Sequence, residues 1–177
     1  MNVRGVIKVL GFTVLLCILA LFVVHAFPWI VGADHSFIVL SGSMEPAIPT
    51  GSVVFVDNVP TSQVDERIEE GDVITFSQAR DIRQTTTHRV VEKKTGDITD
   101  SVRFITKGDN NDVRDPEPVV RAEVVGIVLF HIPVLGYIVN MADSTVGWMA
   151  LVVLPFTLLL MDGMWQLYLA SQNEEEE

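Results

Sequence analysis

Three short stretches of this chain hold side chains that together could cleave an amide. Ser41-Gly-Ser-Met-Glu-Pro46 offers two hydroxyls, Thr87-His-Arg89 an imidazole, and Asp109-Asn-Asn-Asp-Val-Arg-Asp115 three carboxylates. A serine hydroxyl is a weak nucleophile until a base takes its proton. Imidazole changes protonation near neutral pH, and an aspartate can fix its tautomer and stabilise the imidazolium. Gly42 permits backbone geometry that a side chain would block, while Pro46 and Pro49 stiffen the segment after Ser43. The chain order serine, histidine, aspartate matches none of the three well-known triad folds. That is no obstacle, because such a triad is defined by geometry and role.

Each stretch also has a plainer reading. Ser-Gly-Ser is an ordinary loop, His88 in a strand is a surface or satisfied histidine, and the acidic run is a solvated turn. A calcium loop fails in detail, because the twelve-residue ligand spacing with glycine at position six is missing. There is no His-Glu-x-x-His helix, other metal-ligand spacing or glycine-rich phosphate loop. Lys107 could serve a serine–lysine dyad, but it stands beside the acidic loop. Lys93 and Lys94 fall in a hairpin, and His25, His35 and His131 flank apolar segments. Cys17 is the single cysteine and lies in an apolar run, which excludes an intrachain disulfide, a thiol nucleophile at a soluble site and a cysteine-based metal cluster.

The elements that must position these residues divide the chain in three. Residues 1–33 carry an uncharged run from Val9 to Ala33. Its densest part, Val9 to Val24, rises roughly 24 Å as a helix and, extended to Phe27, can cross a ~30 Å hydrocarbon core. Pro28 marks its exit. The run exceeds a signal-peptide core, so a signal anchor is the better reading. Residues 144–177 hold a second span, Ser144 to Met161, rising roughly 27 Å and lengthened if Gly163–Ala170 continues it. Asp162 would then lie inside the helix and need a partner or an interfacial position. The uncharged run Val124–Ala142 reads as a strand followed by an apolar, membrane-touching turn, because Gly126, Pro133 and Gly136 interrupt it. Arg4 and Lys8 place the N-terminus in the cytoplasm and the middle of the chain outside. The acidic tail, Glu174–Glu177, does not orient the second helix.

Between the spans, residues 34–143 read as short strands with turn punctuation. Strands are predicted at Phe37–Leu40, Ser52–Asp57, Asp72–Phe76, Thr87–Glu92, Val102–Thr106 and within Val119–Phe130. Lys93–Asp100 forms a hairpin loop, and Val59–Glu70 is a charged connector with one helical turn. The expected class is mainly β: a membrane-anchored antiparallel, coiled or barrel-like domain flanked by N- and C-terminal transmembrane helices. Residues 34–123 carry 17 acidic against 10 basic side chains, a balance of −7. That disfavours nucleic acid as a partner. Dense carboxylates also fit a high-salt setting, where salt screens their repulsion.

Taken together, Ser41-Gly-Ser-Met-Glu-Pro46, Gly71-Asp-Val-Ile74, Thr87-His-Arg-Val-Val91 and Thr106-Lys-Gly-Asp-Asn-Asn-Asp-Val-Arg-Asp115 resemble type I signal peptidases in kind and order. The likeness is to the archaeal and endoplasmic-reticulum branch, which pairs serine with histidine, rather than the bacterial serine–lysine form. Phe130-His-Ile-Pro-Val-Leu-Gly-Tyr137 resembles the apolar stretch that follows in that branch, and the whole covers about residues 5–165. The resemblance implies Ser43 as nucleophile and His88 as base, at the position of the bacterial lysine. Among the carboxylates it favours Asp115 as triad acid with Asp109 in support. Asp112 is an extra carboxylate, and sequence leaves the choice among the three open. Ser41 resembles the position that helps form an oxyanion hole.

The implied function is removal of signal peptides from secreted and membrane preproteins at the cell membrane, with the catalytic domain on the extracytoplasmic side. The implied partners are signal-peptide-bearing preproteins, the lipid bilayer and the secretion translocon. No cofactor is required. Val24 and Ser43 are fewer than twenty residues apart, so the nucleophile is expected close to the outer bilayer surface, with Phe37, Ile38 and Val39 as pocket walls. Two other readings compete: a membrane-anchored β-domain that binds a partner without catalysis, and a different tethered protease that processes surface proteins.

Overall fold

The computed structural model describes residues 3–77, 84–95 and 102–175. They fall into two compact units, one of Met1–Leu21 with Ile138–Glu177 and the other Phe22–Tyr137.

The second unit is a seven-stranded antiparallel half-barrel. Its strands are β1 (His35–Ile38), β2 (Val53–Asn58), β3 (Val73–Phe76), β4 (Thr86–Thr95), β5 (Val102–Lys107), β6 (Val119–Val120) and β7 (Val124–Ile132). They lie side by side in the order β1-β2-β7-β3-β4-β5-β6. Residues Val53–Val56 of β2 are buried on both faces, which explains their unbroken apolar run. Register shifts at Phe55/Val56, Thr75/Phe76 and Val90/Glu92 insert bulges that bend and twist the sheet. One core gathers Val64, Ile68, Ile74, Phe76, Val90, Phe104 and Val119. A second gathers Met44, Ile48, Val54 and Val56.

The expected strands are present, with ends moved by a few residues. The connector after β2 contains the expected single turn, α2 (Val64–Arg67). Lys93 Nζ crosses from β4 to donate to the Asp65 and Ile68 carbonyls at 2.6 and 2.9 Å, so it terminates that turn. The hairpin loop expected between β4 and β5 lies largely outside the described residues. One expectation is corrected. After β7 the chain forms not a simple turn but a two-turn helix, α3 (Leu135–Ala142). Gly136 makes it possible, since its N–H donates to the Gly51 carbonyl at 2.9 Å and a Cβ there would lie 2.8 Å from that oxygen.

Most of α1 (Val3–Ala26) belongs to the other unit, and the helix ends two residues before Pro28. On the C-terminal side α4 (Thr145–Trp148) passes through a π-helical stretch, Met149–Val153, into α5 (Leu154–Glu175). Pro155 has no N–H to give the preceding turn, which accounts for the widened stretch before it. Within these helices Lys8–Ala26 and Thr145–Gln166 are long and apolar enough to cross a membrane. Asp162 has the partner its apolar setting demands: Lys8 Nζ lies 2.5 Å away, and Gln166 Nε2 donates to it at 2.9 Å.

Candidate active site

Ser43 sits in a turn between β1 and β2. The turn is held from below by Met44 and Ile48, both buried against Val54 and Val56. Glu45 braces it laterally, accepting from the Thr50 hydroxyl at 2.9 Å and the Thr50 N–H at 3.2 Å. The Thr50 hydroxyl, and then its N–H, hold the Glu45 carboxyl below the usual glutamate range. Such anchoring leaves the Ser43 side chain facing the strand that carries His88.

That strand is β4. Alternation along it sends His88 and Val90 inward and Arg89 to the opposite face. His88 is 7% exposed, and Phe76 meets its ring edge-on at 6.3 Å. Its Nε2 lies 3.0 Å from Ser43 Oγ, and its Nδ1 lies 2.7 Å from Asp115 Oδ2. A carboxylate can only accept, so Nδ1 carries the proton and Nε2 is free to accept from the serine.

The loop from Lys107 to Asp115 brings the remaining groups. Asp115 is tied to β5 by its N–H, which donates to the Thr106 carbonyl at 2.8 Å. The buried Thr106 hydroxyl donates to the same Asp115 Oδ2 at 2.6 Å. Asp109 does not touch the histidine. It accepts from Arg89 Nε at 2.8 Å and Nη2 at 2.7 Å, and these bonds raise the Arg89 guanidinium above its ordinary value. Asp112 is exposed. Asn110 fastens the loop to the serine turn, its N–H donating to the Ser43 carbonyl at 2.8 Å and its side chain to the Gly42 carbonyl at 3.2 Å. Gly108 is needed here, because a Cβ would lie 2.5 Å from the Ser43 carbonyl oxygen.

Ser43 and His88 open onto a cleft of about 640 Å³. Phe37, Ile38 and Val39 line it, as expected of wall residues, together with Leu40, Met44, Ile48 and Val54. Gln84 to Thr87 form the facing wall. Ser41 Oγ stands at the rim, 3.3 Å from Ser43 Oγ. Lys107, the alternative base, pairs with Arg89 in the β4–β5 ladder and lies outside the cleft lining. Among the described residues no group of His, Cys, Asp or Glu side chains could hold a metal ion. Three contributors escaped the sequence reading: Thr106, Arg89 and Asn110. Each stands within or beside a motif, but only strand register and loop path reveal its partner.

Fold and site define an antiparallel β half-barrel in which a serine, a histidine and an aspartate form one hydrogen-bonded chain at the edge of a mainly apolar cleft. No family model matches the chain. Individual relatives do. It is 46% identical over 98 residues to signal peptidase I W of Bacillus subtilis, covering 51% of this chain and 46% of that protein. With the signal peptidase complex catalytic subunit SEC11 of Ogataea parapolymorpha it shares 34% identity over 125 residues, 62% of this chain and 68% of the relative. Human SEC11C is 43% identical over 82 residues, 44% of this chain and 38% of the relative. The chain therefore belongs to the type I signal peptidases, in the archaeal and endoplasmic-reticulum branch. It spans about half the length of the first relatives it matches, 46% and 59%. This kinship and the apolar terminal helices point to membrane association.

Proposed function

We propose that this chain is a membrane-bound serine endopeptidase that removes signal peptides from secreted and membrane preproteins. Ser43 attacks the scissile carbonyl while His88 Nε2 takes the hydroxyl proton. Asp115 holds the ring by its Nδ1–H and stabilises the imidazolium that forms. The proton then passes to the departing amine of the mature protein. Water, activated by the same histidine, releases the signal peptide from the acyl-enzyme. Ser41 Oγ, with the Ser43 N–H, faces the charge that develops on the carbonyl oxygen, a contribution of about 3 kcal/mol. Asp109 supports the site from the far face of β4.

The observation that carries this reading is the continuous chain of contacts, 3.0 Å from serine to histidine and 2.7 Å from histidine to aspartate. The cleft supports the substrate class. An extended peptide fits between Phe37–Ser41 and Gln84–Thr87, and apolar walls at alternate positions admit small side chains. Residues 34–143 form the peptidase domain on the extracytoplasmic side, between spans in residues 1–33 and 144–177. A shared bilayer raises the effective concentration of enzyme and substrate, so weak contacts with variable signal sequences suffice. The same placement brings the enzyme to the secretion translocon, where its substrates emerge. The acidic balance of the central domain extends the reading to an archaeal enzyme adapted to high salt.

The test is cleavage of a secretory precursor by the full chain and by Ser43→Ala, with sequencing of the released N-terminus. The parent protein is expected to cut after a small residue just beyond the apolar core, and Ser43→Ala to lose cleavage. Full cleavage by Ser43→Ala would sink the serine mechanism. Cuts elsewhere in surface proteins would favour a different processing protease.

A further inference from the structure

Arg89 follows the histidine in sequence yet lies on the opposite face of β4, away from the cleft. It is nonetheless among the most heavily bonded side chains near the site. Nε and Nη2 grip the two oxygens of Asp109 at 2.8 and 2.7 Å. Nη1 donates to the Gly71 carbonyl at 2.8 Å. Gly71 lies in the turn just before β3, and its own N–H donates to the Val90 carbonyl of β4 at 2.8 Å. The Arg89 and Asp109 side chains are 35% and 20% exposed, so water competes only partly for this pair. A bidentate guanidinium–carboxylate contact fixes orientation as well as distance.

The partner it fixes is the loop that builds the other half of the site. From Asp109 the chain passes directly to Asn110, whose two donors hold the Ser43 and Gly42 carbonyls. Six residues beyond Asp109 it delivers Asp115 to His88 on the inner face. The loop thus straddles the sheet, gripped by Arg89 outside and by Thr106 and His88 inside. Gly108 presses against the Ser43 carbonyl, so a shift of the loop moves nucleophile and acid together.

We propose that Arg89 is a positioning residue: through Asp109 it sets the loop that aligns Ser43 and Asp115 on either side of His88. This rests on the serine-peptidase reading above. Arg89 touches neither cleft nor reacting atoms, so its loss should slow chemistry and leave substrate binding intact. Misplacement by about 1 Å lowers turnover about 100-fold.

The experiment compares the full chain with Arg89→Ala, Arg89→Lys, Asp109→Ala and the double alanine variant. It measures kcat and KM on a precursor and the rate of labelling by a small fluorophosphonate, which reports serine activation without a signal peptide. Arg89→Ala is expected to lower kcat about 100-fold with KM within twofold, and to slow labelling in parallel. Asp109→Ala should match it, and the double variant should be no worse than either single change. Arg89→Lys keeps the charge but loses the fork, so it should recover only part of the rate. Arg67→Ala, which removes the Arg67–Asp57 pair elsewhere on the domain, serves as the control with unchanged activity. Thermal midpoints establish which variants fold. Should Arg89→Ala not fold, Arg89→Lys decides. A parental kcat in either folded Arg89 variant, or a loss confined to KM, overturns the inference. If Ser43→Ala is dead while Arg89→Ala is fully active, only this inference fails. A Ser43→Ala protein that still cleaves removes the reading beneath it.

Discussion

At the scale of single residues, one oxygen organises the site. Asp115 Oδ2 accepts from both His88 Nδ1 and the Thr106 hydroxyl, while Asp109, six residues earlier, is spent on Arg89. The two aspartates should therefore fail differently. Asp115→Asn can offer an amide N–H to Nδ1, forcing the proton to Nε2, where it no longer accepts from Ser43. Turnover should fall about 10⁴-fold with the fold intact. Thr106→Val removes a hydrogen bond to a charged group, worth about 1.5–3 kcal/mol. Single-turnover cleavage should slow by about 10- to 100-fold if that bond is felt in the transition state. Equal rates for Thr106→Val and the parent would show that the hydroxyl serves only the loop. In sequence, the family resemblance favours Asp115, but residue type alone does not separate three carboxylates within seven residues. The types were legible, but which one meets the imidazole depends on which face of β4 and β5 the loop reaches.

At the scale of elements, the serine turn behaves as a bracket. Met44 and Ile48 anchor it in the core, and Glu45 closes it onto Thr50. The folded-state value of the Glu45 carboxyl is depressed below the ordinary one. Its stabilising contribution is therefore complete above the unfolded-state value and is lost as pH falls through the depressed folded one. Urea midpoints of the parent and Glu45→Gln should differ near neutrality and approach one another on acidification below the usual glutamate range. A gap that stays constant with pH would exclude this role. Sequence marked the turn through Gly42, Pro46 and Pro49, and marked β3 to β5 through β-branched runs. It read the segment after β7 as a turn, because Pro133 and Gly136 look like breakers. In the fold Gly136 is instead the point where α3 approaches the Gly51 backbone.

At the scale of the whole molecule, composition and segregation dominate. The chain carries a formal charge of −11, and its apolar residues are concentrated toward the ends. Carboxylates spread over the central domain repel one another at low ionic strength, and salt screens that repulsion. Raising salt from dilute to molar should increase the thermal midpoint and precursor cleavage together. Full activity in dilute salt would undercut the high-salt reading. The two long apolar helices follow from hydropathy alone. The Lys8–Asp162 pair that joins them does not, since it needs two residues more than 150 apart in sequence to meet.

The sequence by itself determined the chemical types, the antiparallel strand pattern and the two long apolar segments, because local propensity and hydropathy periodicity are written residue by residue. The motifs in their order also determined the family. What the tertiary structure alone decided is pairing across distance: Ser43 with His88, Asp115 with Thr106, Asp109 with Arg89. Those contacts depend on register, on the opposite faces taken by consecutive strand residues, and on a loop that passes around the end of β5. None of these is a property of any single stretch of chain.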